Sequence, residues 1–294
     1  MVYENHRRTG STGAAFIKTF DLKPREYETI RTLVKEKTGI NLGLNKRDLV
    51  LSRLAKRLRA LGLDSFRQYL EYLEGPKGPD ELVQMINHIT TNKTNFFREM
   101  HHFEFLTKKL FPELIKAGQS NRFRQIRAWS AGCSSGEEPY SICITASEFL
   151  QDKPGWEFKL LATDLDTTML QKASDMIYES RLLEPVPRHL LHKYFKPVSD
   201  NGELLYQASQ GLRNMITFRK FNLMRRKYPL KAPVDFIFCR NVLIYFDQKD
   251  KTDILTRFHS ALKPGGHFFV GHSESLMMVK HLFKNVGTTV YQKI

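Results

Sequence analysis

Apolar side chains recur every third or fourth position from residue 21 to about 90, and nothing there alternates as a strand would. "PREYETIRTLVKEKTG" puts Ile30, Leu33 and Val34 on one face. It opens on Pro24 and stops at Gly39, the residues that suit a helix's first turn and its end. "KRDLVLSRLAKRLRALG" carries Val50, Leu54, Leu58 and Leu61 down one face. "DSFRQYLEYLEG" predicts a short helix capped by Asp64 or Ser65 and ended by Gly75. After the break "GPKGP", "PDELVQMINHIT" predicts a fourth helix. Residues 21–90 therefore read as a small all-α N-terminal domain. The polar segment "TNKTNFFRE" interrupts the periodicity, so 91–100 reads as a linker, and a long helix follows over roughly 99–117.

Beyond residue 120 the pattern changes. "FRQIRAWSAG", "FKLLATDLD", "VDFIFCRN" and "HFFVGHSE" predict strands. "EEPYSICITASEFLQ", "DTTMLQKASDMIY" and "KTDILTRFHSALKPGG" predict helices between them. This alternation implies an α/β domain over 101–294 with a parallel, doubly wound sheet. A small antiparallel insertion is expected over about 178–218. "KPVSDNGELLYQ" carries the hairpin signal Asp200-Asn201-Gly202, and "MITFRKFNL" is read as its continuation.

Composition narrows the setting. At 294 residues the chain has room for one to two domains, and 21 Phe supply a core. Three cysteines, Cys133, Cys143 and Cys239, include no C-x-x-C pair. That favours a reducing, cytoplasmic compartment and argues against a disulfide frame or a cysteine zinc site; no metal is expected. No apolar run approaches the roughly 20 residues of a membrane span. Residues 1–20 hold Arg7-Arg8 without an apolar segment and read as a disordered tail. The net charge of +15 calls for an acidic partner: nucleic acid, an anionic membrane or an acidic protein surface.

The candidate chemistry starts at "WSAGCSSGEEPYSI". A strand ends, small residues let a ligand approach the backbone, and a helix begins with free N–H groups. The spacing is G-x-x-x-G, from Gly132 to Gly136, and not the dinucleotide pattern. Asp164 closes the second strand, where an acid accepts hydrogen bonds from ribose hydroxyls. Asp166 suits a helix N-cap better. Glu137 would repel a pyrophosphate. Together these favour a nucleoside carrying positive charge and no phosphate, which describes S-adenosylmethionine. Arg240 and Asn241 follow the strand "DFIF" after a single residue, Cys239, a polar pair hard to place in a core, with Tyr245 soon after.

"TNKTNFFRE", "SAGCSSGEEPYSI", "ATDLD", "FNLM", "FCRNVLIYFD", "LKPGG" and "GHSES" occur in this order. The chain resembles the CheR family of chemotaxis receptor glutamate methyltransferases from about residue 21 onward. The resemblance implies a Rossmann-like class I methyltransferase domain with a small antiparallel β-subdomain, preceded by an all-α domain. It implies cofactor contacts from Asn92, Thr94, Arg98, Glu137, Asp164, Asn222, Leu223, Arg240 and Asn241. Arg98 and Tyr245 match the pair near the transferring methyl group. The implied reaction moves a methyl from S-adenosylmethionine to receptor glutamate side chains, giving 5-O-methyl esters and S-adenosylhomocysteine and serving chemotactic adaptation.

The implied partner is the cytoplasmic helical region of chemotaxis receptors, met by a monomer without membrane insertion or nucleic acid. Lys46, Arg53, Lys56 and Arg57 fall within about 100° on the second helix and read as a receptor-docking stripe. Two other readings are weaker. An RNA methyltransferase would suit the charge but lacks a base-reading motif near the crevice. A binding adaptor with a spent site has no need of Arg98, Asp164 and Tyr245.

Overall fold

A computed structural model describes residues 19–118, 124–200 and 202–294. Four helices form the N-terminal domain: α1 (Pro24–Thr38), α2 (Arg47–Leu61), α3 (Phe66–Glu74) and α4 (Gly78–Ile89). Their expected faces meet in one core, where Ile30, Val34, Val50, Leu54, Leu58, Phe66 and Met85 are buried. Gly39 ends α1 at φ 81°, a left-handed turn that glycine adopts without strain. Between the two candidate caps of α3, Ser65 takes the role: its Oγ accepts from the Gln68 N–H at 3.3 Å. Of the expected tail over 1–20, residues 1–18 lie outside the described residues.

The helix expected over 99–117 is built in three pieces. α5 (His101–Phe105) passes through a wide π-turn, Leu106–Leu110, into α6 (Phe111–Gly118). Pro112 explains the wide turn. It lacks the N–H that the Lys108 carbonyl needs and its ring crowds that carbonyl, so the helix widens just before it.

The large sheet has seven strands. β1 (Gln125–Ala131), β2 (Glu157–Asp164), β6 (Ile216–Lys220), β7 (Val234–Phe238) and β8 (Leu262–Phe269) run parallel. β10 (Val290–Lys293) lies antiparallel between β8 and β9 (Phe283–Gly287), giving the order β6-β2-β1-β7-β8-β10-β9. Helices α7 (Glu137–Leu150), α8 (Thr167–Asp175) and α11 (Gln248–Ala261) supply the crossovers. Alternation along the strands separates the two faces. Phe236, Phe238 and Phe269 pack in one cluster, while Trp129, Ile237 and Phe268 pack in the other. Strand order reverses between β1 and β7, the place where such sheets open a ligand crevice.

The insertion is a three-stranded sheet, β3 (Ile177–Glu179), β5 (Glu203–Ala208) and β4 (Phe195–Asp200), with short helices α9 (Arg188–Tyr194) and α10 (Gln210–Asn214). It ends earlier than 218. Ile216–Lys220 does not continue the hairpin but pairs in parallel with β2, Leu160 facing Ile216. The alternation of "ITFRK" suits either sheet. What decides is α10, which turns the chain back to the edge of β2. The C-terminal hairpin of β9 and β10 is a further element that the sequence pattern does not announce.

The N-terminal domain is tied to the sheet domain at several points. Lys35 forms ion pairs with Asp247 and, at 2.8 Å, with Asp250. The Asn41 N–H donates to the Tyr245 carbonyl at 2.8 Å, and Asn222 Nδ2 donates to the Lys37 carbonyl at 2.9 Å.

Candidate active site

The C-terminal ends of β1, β2 and β7 open into a cleft of about 720 Å³, with residues of α1, α2 and the α4–α5 linker on its opposite wall. Gly132, Ser134 and Asp164 line its floor, and Asn222 and Leu223 follow β6. Arg240, Asn241 and Tyr245 come from the loop after β7. Asn92, Thr94 and Arg98 come from the linker. Gly132 has φ 84°, and a Cβ there would sit 2.4 Å from Val242 Cγ2. Only glycine lets the β1 loop and the β7 loop approach this closely.

Glu137 is not among the residues lining the cleft. Its side chain is buried behind the loop and accepts from Ser135 Oγ at 2.7 Å. Burial pushes its carboxyl pKa up, against the Ser135 hydrogen bond. Its neighbour Glu138 faces the cleft instead. Both sit in the first turn of α7, which begins after Gly136 at φ 100°, and successive helix positions point about 100° apart.

Asp164 accepts from the Ser134 N–H at 2.8 Å with one oxygen and from the Asp166 N–H at 2.9 Å with the other. Burial raises its pKa while these two donors lower it. Each oxygen keeps a second lone pair for a ligand hydroxyl. Asp166 is the N-cap of α8, as its position suggests. One oxygen accepts from the Thr168 and Met169 N–H groups. The other accepts from Thr90 Oγ1 at 2.9 Å and from Asn92 Nδ2 at 2.7 Å. The Asn92 side chain thus anchors the linker to the start of α8.

Arg240 is a buried cation. Its guanidinium lies 3.5 Å from Glu99 Oε2 and 3.4 Å from Glu138 Oε2, and it donates to the Arg98 carbonyl. The linker backbone around Arg98 is unusual: Phe97 at φ 52° and Glu99 at φ 58° are both left-handed. Such conformations cost about 1–3 kcal/mol each and persist only where the surroundings hold them. Here the Phe97 N–H donates to Ser141 Oγ at 2.9 Å, and Arg240 holds the next carbonyl.

Residues 25–90 match the family described as "CheR methyltransferase, all-alpha domain", and residues 92–292 match "CheR methyltransferase, SAM binding domain". The chain belongs to the CheR methyltransferase family. It is 42% identical over 270 residues to the chemotaxis protein methyltransferase of Salmonella typhimurium, covering 92% of this chain and 90% of that protein. To the chemotaxis protein methyltransferase of Escherichia coli it is 40% identical over 270 residues, with 92% and 91% covered. The probable chemotaxis protein methyltransferase of Rhizobium etli is 40% identical over 261 residues, with 88% and 96% covered. The family is one of S-adenosylmethionine-dependent methyltransferases acting in chemotaxis. Among the described residues of this CheR chain, no helix is long and apolar enough to cross a membrane.

The basic stripe expected on α2 divides in the structure of this family member. Lys46 and Lys56 are exposed. Arg57 is paired in a bidentate fashion with Glu81, at 2.9 and 2.5 Å, and Glu81 is buried and also accepts from Tyr69 at 2.8 Å. Arg53 caps α4, donating to the carbonyls of Ile89 and Thr90 and to Thr91 Oγ1, and it lines the cleft. Neither arginine is a free docking charge, and Arg53 is not remote from the cofactor cleft. Removing one member of a buried pair costs roughly 3–5 kcal/mol. Arg57→Ala is therefore expected to lower the urea midpoint of the N-terminal domain, whatever its effect on docking. An unchanged midpoint would mean that the pair adds nothing.

Sequence reasoning misses Glu99 and Glu138, which hold Arg240, because a lone carboxylate near a helix start reads as a dipole partner. One group of three possible metal ligands occurs among the described residues: Glu99, His101 and His102. Arg240 already sits against the Glu99 carboxylate, 3.5 Å from Oε2, and opposes a second cation there. Burial, with Arg240 adding to it, draws the His102 pKa down to about 2, so this imidazole stays neutral.

Proposed function

We propose that this CheR methyltransferase transfers a methyl group to glutamate side chains of chemotaxis receptors. The observation that carries the proposal is one cleft lined jointly by a strand-end carboxylate, Asp164, and by Arg98 and Tyr245. The cleft suits S-adenosylmethionine on its own chemistry. Asp164 offers free lone pairs at the floor, and Gly132 removes bulk. The buried Asn241 Oδ1 has no partner among the described residues and so offers an acceptor. Asp164, Asn222, Leu223, Asn241 and the linker residues Asn92 and Thr94 would hold the cofactor. When bound, S-adenosylmethionine supplies a methyl group activated on sulfonium.

The substrate needs no general base. A glutamate of pKa about 4.3 is ionised roughly 500 to 1 at pH 7. The protein's task is to orient that carboxylate, and well-oriented groups gain roughly 7–11 kcal/mol in favourable systems. Arg98 steers the carboxylate, and Tyr245 donates a hydrogen bond to it. Each ester then removes one negative charge from a receptor helix and relieves like-charge repulsion between neighbours. The exposed Lys46 and Lys56 add to the positive field that draws in an acidic receptor surface.

Incubation with labelled methyl donor, receptor-containing membranes and bulk RNA tests the substrate class. Label is expected in membrane protein; label in RNA would replace this reading. Tyr245→Phe is expected to slow single turnover about 10–150-fold, the worth of one hydrogen bond to a charged group, with cofactor affinity little changed. Wild-type turnover would mean that the ring only packs.

A further inference from the structure

The motif "GHSES" follows β8 and has no part in the functions derived above. In the structure Glu274 within it is buried, and its carboxylate turns back under the loop that follows β7. Oε2 accepts from the Asn241 N–H at 2.8 Å and the Gly271 N–H at 2.7 Å. Oε1 accepts from the Val242 N–H at 2.9 Å and the Leu243 N–H at 2.7 Å. One side chain thus satisfies three successive amides of the loop that carries Arg240, Asn241 and Tyr245. Those amides belong to no strand. Asn241 is left-handed at φ 60°, so the backbone there needs an external hold. Leu243–Tyr245 then forms a single 3-10 turn that points Tyr245 at the cleft.

The same segment clasps the loop from a second side. A Cβ on Gly271 would fall 2.5 Å from Asn241 Nδ2 and 3.0 Å from the Asn241 backbone nitrogen. It also reaches the linker, because the His272 N–H donates to Glu99 Oε1 at 3.3 Å. Burial raises the Glu274 pKa, and its four N–H donors pull the other way. Four charge-assisted bonds to one carboxylate, each short, make it a stronger organiser than any neutral side chain of the same shape.

We propose that Glu274 is the positioning residue for the methyl-transfer loop, holding Asn241 and Tyr245 in the geometry that the reaction uses. This rests on the reading of Tyr245 given above. Glutamine at 274 keeps the volume but turns an N–H₂ toward backbone donors, so at least one loop amide loses its acceptor. Misplacement of reacting groups by about 1 Å can cost on the order of 100-fold in rate.

The experiment compares wild type, Glu274→Gln, Tyr245→Phe and the double variant in single turnover at saturating methyl donor, with amide hydrogen exchange on the same proteins. Glu274→Gln is expected to slow turnover on the order of 100-fold. It is also expected to speed exchange at residues 241–243 and 271 more than elsewhere. Tyr245→Phe should then add little in the Glu274→Gln background, because the hydroxyl is already misplaced. A merely destabilising change would leave the two effects additive. Gly271→Ala, which presses on Asn241 from the other side, should give the same exchange signature. Wild-type turnover in Glu274→Gln, unchanged exchange at 241–243, or, where Tyr245→Phe alone slows turnover, additive effects would each overturn the proposal. If Tyr245→Phe alone is silent, the role of Tyr245 falls, and Glu274 stands or falls on its own rate and exchange.

Discussion

Arg240→Met should destabilise the protein by roughly 3–5 kcal/mol, the cost of removing one partner from a buried charge cluster. The variant takes away the guanidinium that lies within 3.5 Å of both Glu99 and Glu138, and it releases the Arg98 carbonyl from its only side-chain donor among the described residues. The loss should depend on pH. Burial already raises the Glu138 pKa and Arg240 holds it down, so the variant raises it further. An acid with a raised folded pKa binds more protons folded than unfolded, so stability falls as pH rises from the ordinary glutamate value to the raised one. The deficit relative to wild type should therefore be larger at about pH 8 than at about pH 5. Urea midpoints at the two pH values check this. An equal deficit at both would show that the Glu138 carboxyl does not depend on Arg240. Turnover should fall as well, because Phe97 and Glu99 keep their left-handed backbone only while the segment between them is held.

Asp164→Ala should weaken binding of S-adenosylmethionine by about 10–150-fold, the equivalent of roughly 1.5–3 kcal/mol for a hydrogen bond to a charged acceptor. Two effects act together. The variant removes the acceptor at the cleft floor, and it frees the Ser134 and Asp166 N–H groups that shape the β1 and β2 loops. Asp164→Asn separates them: one carbonyl oxygen still serves one N–H while the amide group opposes the other. It should bind the cofactor better than the alanine variant and worse than wild type. Titration calorimetry on folded variants decides this. Wild-type affinity in Asp164→Ala would remove Asp164 from the cofactor site.

Much of this architecture is legible in the amino-acid sequence. The helices of the first domain are bounded by Pro24, Gly39, Ser65 and Gly75, whose backbone preferences act locally. The strand ends near Asp164 and Phe238 can be read because an apolar stretch gives way to polar residues, "LLA" to Thr163-Asp164 and "FIFC" to Arg240-Asn241. What escapes reading depends on contacts between distant residues. Arg57 looks like a solvated charge because its partner Glu81 lies 24 residues away on another helix. Glu137 and Glu138 are the same residue type in the same turn, about 100° apart around α7, and only the placement of that helix in the fold decides which one meets the cleft. "ITFRK" alternates equally well for either sheet, and its place depends on the turn that α10 makes. Arg240 reads as a ligand contact from its position in the chain. Its hold on the linker depends on Glu99, Glu138 and the Arg98 carbonyl, which only the fold gathers around it.

Methyl esters on glutamate are released by mild alkali as methanol, and methylated nitrogen or sulfur is not. The most direct measurement incubates this methyltransferase with a receptor cytoplasmic fragment and labelled S-adenosylmethionine, then maps the label by peptide mass spectrometry before and after alkali. The expected result is a single methyl on glutamate side chains, lost as volatile label on alkaline treatment and absent with Asp164→Ala at low cofactor concentration. Label on any other side chain, or label that survives alkali, would contradict carboxyl methylation of receptors by this cleft.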